Sequence, residues 1–386
     1  MVEKPIFLTF GYCLITYYYL CAKLQRKPHI RKKQMVQKDK INAFIELGKF
    51  LSQFKLDKNT KTDDVKHNEI YFDRFVDLIA LSQSHNGWFT PEQVHFAIIS
   101  WSEALTEDNL TQWLSAYDFS QVKPKTIGLI LAGNIPLVGF HDFLAVLVAG
   151  HKVLVKTSSN DQKLLPFLAD YLIEVAPGFE EYIEFSEGKL EHFDAVIATG
   201  SNNTARYFEY YFKDKPSIIR KNRNSIAVLN GNETREDLTN LGEDIFRYFG
   251  LGCRNVSKLF VPKGYDFKNF FEAIFVYQDI IKYEKYANNY DYNKAVFLMS
   301  LFQLLDNGFL TIKEDTSHAS PISSVFYEFY DDIEEVKERL KNDGDAIQCI
   351  VSNDLTDNSI PFGQTQKPKL WDYADNVDTL AFLLHL

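Results

Sequence analysis

The sequence predicts an α/β fold organised around a parallel sheet, and three observations carry that prediction. From residue 125 onward, short apolar, β-branched runs alternate with helical patterns, as βαβ units do. The runs are short and apolar, as strands covered on both faces must be. With 46% hydrophobic residues in 386, the chain can bury a sizeable core, enough for one large or two medium domains.

The elements follow in chain order. Ile41, Phe44, Ile45, Leu47, Phe50, Leu51 and Phe54 recur at helical spacing and predict a core-facing helix. Residues 57–66 are polar and read as a loop. Thr90-Pro91-Glu92-Gln93 is a helix start, with Thr90 as N-cap, Pro91 at the first position and Gln93 completing a capping box. Strands are predicted at 126–131, 152–155, 195–199, 225–229 and 258–261, with helices between them at 140–149, 161–176, 204–212 and 235–249. Further helices are expected near 267–286 and 292–305, then strands at 324–329 and 346–351. His141 and the tyrosine-rich stretch 283–292 read as packing residues.

Residues 1–34 stand apart. Positions 5–22 are uncharged and apolar, and Lys23, Arg26, Lys27, Arg31, Lys32 and Lys33 follow. The run just reaches the length of a membrane span, and as an anchor it would leave the remainder in the cytoplasm. Translation starting at Met35 is the favoured reading, because Met35-Val36-Gln37-Lys38 opens directly onto a soluble amphipathic helix. A signal peptide fits less well, since the basic residues follow the apolar run. Contact with a membrane is expected only if this segment is present.

A net charge of −10, from 52 acidic against 42 basic residues, argues against nucleic acid as a partner. Cys13, Cys21, Cys253 and Cys349 show no paired spacing, which suits a reducing cytoplasm. No metal site is expected, because nine scattered histidines form no ligand pattern. The sequence has no G-x-G-x-x-G after a strand, no P-loop, no H-E-x-x-H and no G-x-S-x-G.

Four segments carry chemistry. In Gly250-Leu251-Gly252-Cys253-Arg254-Asn255, flanking glycines let backbone approach a ligand, and a thiol there can attack a carbonyl. A buried structural cysteine is the plain alternative. In Leu131-Ala132-Gly133-Asn134-Ile135-Pro136, an amide at a strand end can donate to an oxyanion, or simply form an Asn-x-Pro turn. Lys156-Thr157-Ser158-Ser159 places a lysine and hydroxyls at another strand end, a usual ligand edge of an open sheet or else a solvated loop. Thr199-Gly200-Ser201-Asn202 turns a strand into a helix whose N-terminus favours phosphate, although such junctions are common.

The order and spacing of these segments resemble the aldehyde dehydrogenase superfamily, and within it the LuxC-type acyl-CoA reductases, the bacterial fatty-acid reductase family. The likeness runs from about Met35 to the end, where Pro361-Phe362-Gly363-Gln364-Thr365-Gln366 and Leu370-Trp371-Asp372-Tyr373-Ala374-Asp375 resemble that family's C-terminus. The resemblance implies an aldehyde-dehydrogenase-like fold: a cofactor-binding open α/β sheet at 35–222, a second α/β catalytic domain at 223–355, and a tail at 356–386 packing on the site or an interface. It implies Cys253 as nucleophile and Asn134 as oxyanion donor. It also implies Lys156, Ser158, Ser159, Gly200 and Ser201 at the cofactor.

Departures from the family pattern sharpen the expectation. Hydrolytic relatives carry a water-activating glutamate where this chain has Arg220, the first residue of Arg220-Lys221-Asn222-Arg223-Asn224. Ser159 stands where many NAD-preferring relatives carry glutamate, so a 2′-phosphate meets no repulsion and NADPH is expected. No glutamate matches the family's nicotinamide-ribose contact near Ser317-His318-Ala319-Ser320-Pro321. The function implied is NADPH-dependent reduction of an acyl-CoA, by resemblance a long-chain one, to the aldehyde through an acyl-cysteine. A different activated acyl donor, acyl-phosphate or protein-bound thioester, is the alternative, as is a non-catalytic acyl acceptor. A homo-oligomer is expected.

Overall fold

The computed structural model describes residues 35–386, so the readings of 1–34 lie outside the described residues. Two sheets dominate. The first contains β1 Thr126–Ile130, β2 Lys152–Lys156, β3 Ile183–Phe185, β4 Ala195–Thr199 and β5 Ser217–Arg220, all parallel, in the order β3-β2-β1-β4-β5. The second contains β6 Asn224–Val228, β7 Val256–Pro262, β8 Leu304–Asp306, β9 Thr311–Glu314, β10 Ser324–Tyr330 and β11 Ile347–Val351. Its order is β11-β6-β7-β10-β9-β8, with only β8 antiparallel to its neighbour. Only Lys221, Asn222 and Arg223 separate β5 from β6. The carboxyl ends of the first sheet therefore lead straight into the amino ends of the second.

Helix formation follows the apolar spacing. Helix α1, Gln37–Leu51, buries Phe44, Leu47, Phe50 and Leu51 completely. Each is worth roughly 1.5–3 kcal/mol of transfer free energy. The α1 face packs on α3, Pro91–Ala104, and α6, Leu164–Val175, where Phe50 stacks on Tyr171 with centroids 4.3 Å apart. Helices α2, Asn68–His85, and α4, Glu107–Leu114, complete this aromatic layer, and α5, Phe140–Ala149, crosses between β1 and β2. Helix α7, Asn202–Tyr211, joins β4 to β5. One face of the second sheet is covered by α8, Arg235–Phe246, and α9, Lys268–Ile274, and the other by α11, Ile333–Asn342. Among the described residues no helix is long and apolar enough to cross a membrane.

Several predicted elements need correction. Thr90 does cap α3 and accepts the Gln93 N–H at 3.4 Å. The reciprocal half of the box is not made, because Gln93 Oε1 accepts the Tyr248 N–H at 2.9 Å instead. The run at 267–286 is broken into α9 and a 3-10 segment, Phe275–Lys282. The tyrosine-rich stretch belongs to α10, Glu284–Met299, which buries Tyr286, Tyr290 and Phe297. The helix expected at 292–305 ends at Met299, and Leu304–Asp306 pairs as a strand. Strands β3, β5, β8 and β9 are short and carry too few residues to show a period.

Lys40 on α1 is only 4% exposed, lies 4.8 Å from the Tyr182 ring centroid, and makes no ion pair among the described residues. Burial lowers its pKa to about 8. The unfolded chain protonates this amine more readily, so the stability penalty is present below about pH 8 and fades as pH rises toward the unfolded value. Lys40→Met is expected to stabilise the protein by about 2 kcal/mol at pH 7. Thermal melts at pH 7 and pH 10 check this, and the gain must shrink at the higher pH.

Candidate active site

The site is assembled where the two sheets meet. Helix α8 ends at Phe246, and the chain then reverses through Tyr248 and Phe249, at φ of 54° and 58°, and Gly250 at 78°. Bulky residues in the left-handed region cost about 1–3 kcal/mol each and persist only where the surroundings hold them. Here Gln93 takes the Tyr248 N–H, Phe96 meets the Tyr248 ring edge-on at 5.7 Å, and Trp88 and Tyr283 flank Phe249. Asn255 completes the turn. Its Nδ2 donates to the carbonyls of Asp244, Ile245 and Arg247, closing the carboxyl end of α8, and its Oδ1 accepts the Gly252 N–H at 2.8 Å. A Cβ on Gly252 would stand 2.9 Å from that oxygen, so a larger residue there must push the Asn255 side chain aside.

This loop presents Cys253 just before β7. The Ser225 hydroxyl donates to its carbonyl at 3.0 Å. Solvent reaches the thiol, yet protein crowds it, and incomplete hydration pushes its pKa up to about 11. The Arg254 guanidinium and the residue's own amide act in the opposite direction, while Cys349 and the Asp375 carboxylate raise it further. Arg254 is aimed by Nη1 bonds to Cys349 Sγ and the Thr365 carbonyl, at 3.4 and 3.3 Å, and an Nη2 bond to the Asp372 carbonyl at 3.3 Å. Alkylation of Cys253 by iodoacetamide should therefore be slow at pH 7 and climb toward pH 11. Arg254→Gln should move that profile further to alkaline pH, by up to about one unit. An unmoved profile would remove Arg254 from thiol activation.

Asn134 lies beyond β1, and its Nδ2 donates to the Leu251 carbonyl at 2.7 Å, tying it to the Cys253 loop. One amide hydrogen is thus engaged and the other remains for an incoming oxygen. Lys156 ends β2, next to β1 in the sheet, and makes no ion pair among the described residues. Ser158 packs so tightly on Gly133 that a Cβ there would lie 2.7 Å from its hydroxyl. Ser159 is exposed. Gly200 follows β4, on the other side of β1, and its amide donates to the Arg220 carbonyl at 3.2 Å. Ser201 caps α7 by accepting the Thr204 N–H at 3.3 Å. The structure joins Asn134 to the Cys253 loop by a direct bond. Lys156, Gly200 and Ser201 sit on neighbouring strand ends of the same edge.

The tail, 356–386, is held by side chains from elsewhere. Asp244 on α8, fully buried, accepts the Gly363 and Thr365 amides and the Thr365 hydroxyl at 2.7, 3.0 and 2.8 Å. His141 and His151 hydrogen-bond the Leu370 and Leu383 carbonyls at 2.8 and 2.9 Å. Sequence reasoning missed Asp142, Ser225, Asp244, Asn255 and Asp375. Asp142 carried a signal, being the one carboxylate in the apolar helix Phe140–Ala149.

Residues 101–275, which include Asn134, Lys156 and Cys253, match the family model of the acyl-CoA reductase (LuxC). The long-chain acyl-protein thioester reductase of Aliivibrio fischeri is 25% identical over 126 residues, 29% of this chain and 26% of that protein. The match thus spans about a quarter of that relative's length. Solved structures share the fold. An aldehyde dehydrogenase from Bartonella henselae superposes with a TM-score of 0.59 at 12% identity, over 83% of this chain and 76% of that one. An aldehyde dehydrogenase C variant from Pseudomonas syringae, complexed with NAD+ and octanal, gives 0.59 at 12% identity, over 83% of this chain and 73% of that one. The chain is LuxC-like in sequence and aldehyde-dehydrogenase-like in fold.

Proposed function

We propose that the protein is an oxidoreductase that reduces an acyl-CoA to the aldehyde with NADPH, through a thioester on Cys253. The observation that supports this reading is the direct bond from the Asn134 amide to the Leu251 carbonyl of the Cys253 loop, both within the residues that match the family model. The residues fit a nicotinamide cofactor. Among the described residues Lys156 pairs with no carboxylate, the chain passes closely at Gly133 against Ser158, and the amino end of α7 opens on the same edge. Lys156 would meet the adenosine ribose, Ser158 and Ser159 its neighbourhood, and Gly200 and Ser201 the pyrophosphate. Ser159 in place of a carboxylate favours the 2′-phosphate.

Cys253 Sγ attacks the thioester carbonyl once its proton is lost, and Arg254 stabilises the thiolate. The second Asn134 N–H and the Cys253 amide hold the oxyanion. Coenzyme A leaves as its thiol, and the acyl group stays on Cys253. The reduced nicotinamide, when bound, supplies the hydride. Cys253 then leaves as the aldehyde carbonyl forms. The two described cysteines are free thiols, in keeping with a reducing cytoplasm.

The test is loss of nicotinamide absorbance with acyl-CoAs of increasing length, comparing NADPH with NADH and wild type with Cys253→Ala. NADPH turnover that vanishes in the variant supports the proposal, and acyl-CoA that neither turns over nor labels Cys253 overturns it. A protein-bound acyl thioester is the second reading, favoured by the name of the Aliivibrio relative. It predicts turnover from an acylated protein donor without free coenzyme A.

A further inference from the structure

Helix α10 buries one face and leaves a second apolar face in solvent. Tyr292, Val296 and Met299, at i, i+4 and i+7, form an exposed stripe, and Met299 is 85% exposed. The stripe runs on through Leu301 and Phe302 to Leu305 of β8, all exposed. The helix ends in a doubly bonded turn. The Phe302 N–H donates to the Phe297 carbonyl at 3.1 Å, and the Leu301 N–H to the Leu298 carbonyl at 3.0 Å. The residue at the head of such a turn is left-handed and usually glycine. Here it is Leu301, at φ 61° and 90% exposed. The chain thus accepts backbone strain to hold a leucine of which its own fold makes almost no use. Phe302 beside it is fixed, edge-on to Phe297 at 6.4 Å and beneath the Lys313 ammonium at 4.0 Å.

We propose that this ridge is a two-fold contact on which a second copy of the chain docks, with the two β8 strands lying antiparallel. β8 is the last strand of the second sheet, and among the described residues no strand pairs beyond it. A two-fold axis at that edge sets β8 antiparallel to its copy and lays each ridge on the other. The six side chains expose roughly 600 Å² in all, the low end of what each partner brings to a specific interface. Charge selects the occupant. The chain carries −10, so two copies repel over most of their surfaces. Residues 292–305 hold no acidic side chain, and Lys294, their one charge, lies 3.3 Å from Asp306 Oδ2. A ridge without net charge meets its own copy without repulsion. An anionic membrane would need free cations there, and this ridge offers none. β8 stands three strands from β7, roughly 14 Å across the sheet, so each Cys253 loop stays within its own subunit.

The test is sedimentation velocity on the full chain. Wild type should pass from monomer to dimer across the micromolar range. M299E combined with L301E should weaken association at least about hundredfold, because each new carboxylate appears twice about the axis and faces its like. L301G separates contact from folding. Glycine relieves the left-handed turn, so the melting temperature of the dilute monomer should hold or rise while association weakens severalfold. A change that merely damaged the fold would lower both. Wild type that stays monomeric overturns the proposal, as does L301G that associates like wild type. A dimer that M299E/L301E leaves intact does so too, and moves the contact to another surface such as the exposed tyrosines of α7. Wild type that binds phosphatidylcholine vesicles, with or without phosphatidylserine, in place of its own copy gives the ridge to lipid and equally defeats the proposal.

Discussion

Replacing Cys253 with alanine is expected to lower acyl reduction by about four to six orders of magnitude, as loss of a covalent nucleophile does elsewhere. The fold should survive, because the loop is held by neighbours rather than by the thiol. Asn255 fixes the Gly252 amide and the end of α8, and Ser225 holds the Cys253 carbonyl. Asn134→Ala should cost about 10²–10³-fold in kcat, typical of one oxyanion donor. That variant also releases the Leu251 carbonyl, so some of its loss reflects a looser loop. Measuring kcat/KM beside the rate of Cys253 alkylation separates the two. Lost oxyanion stabilisation leaves alkylation unchanged, whereas a displaced loop alters it. Residual reduction above about one per cent in Cys253→Ala would rule out the thioester route, given that scale.

Residues that form one face of a regular element were legible in the sequence. The helix Phe140–Ala149 and the strand Ala195–Thr199 lie where their apolar runs placed them, because tertiary burial and local pattern agree there. The segment 267–305 was not, since aromatic residues fall on most faces and the breaks at Phe275 and Met299 leave no period to read. The tail was legible only by its resemblance. Its path is set by Asp244, His141, Arg220 and Arg254, which lie 90 or more positions away, and no local pattern encodes such pairings. The site shows the same division. Cys253 and Asn134 announce themselves by local chemistry, whereas Asp375 becomes interesting only once Arg220 and Arg223 are seen beside it.

Asp244→Ala is expected to be the most destabilising change around the second sheet, because its carboxylate is the buried anchor of the tail. Its oxygens hold Gly363 and Thr365 of the tail, and its backbone carbonyl accepts from Asn255 in the Cys253 loop. Truncation leaves two amides and a hydroxyl without their acceptor in a buried place, at a cost of about 3 kcal/mol or more. The loss should carry a pH signature. Burial, only partly offset by the bonds from Gly363 and Thr365, raises the Asp244 pKa from 3.8 to about 6. Between those values the folded state holds more protons than the unfolded chain, so this group's contribution is full below about pH 4 and declines as pH rises through 6. The stability gap between wild type and Asp244→Ala should therefore be wider at pH 4.5 than at pH 7.5, by about 2 kcal/mol. Asp161, likewise raised to about 6 by burial, titrates in both proteins and cancels from the difference. Urea unfolding at the two pH values measures the gap directly. A gap that widens toward neutral pH would mean that the three bonds, and not burial, govern Asp244. The tail would then be anchored by a fully ionised carboxylate whose hold on Thr365, and through it on Arg254, weakens only in acid.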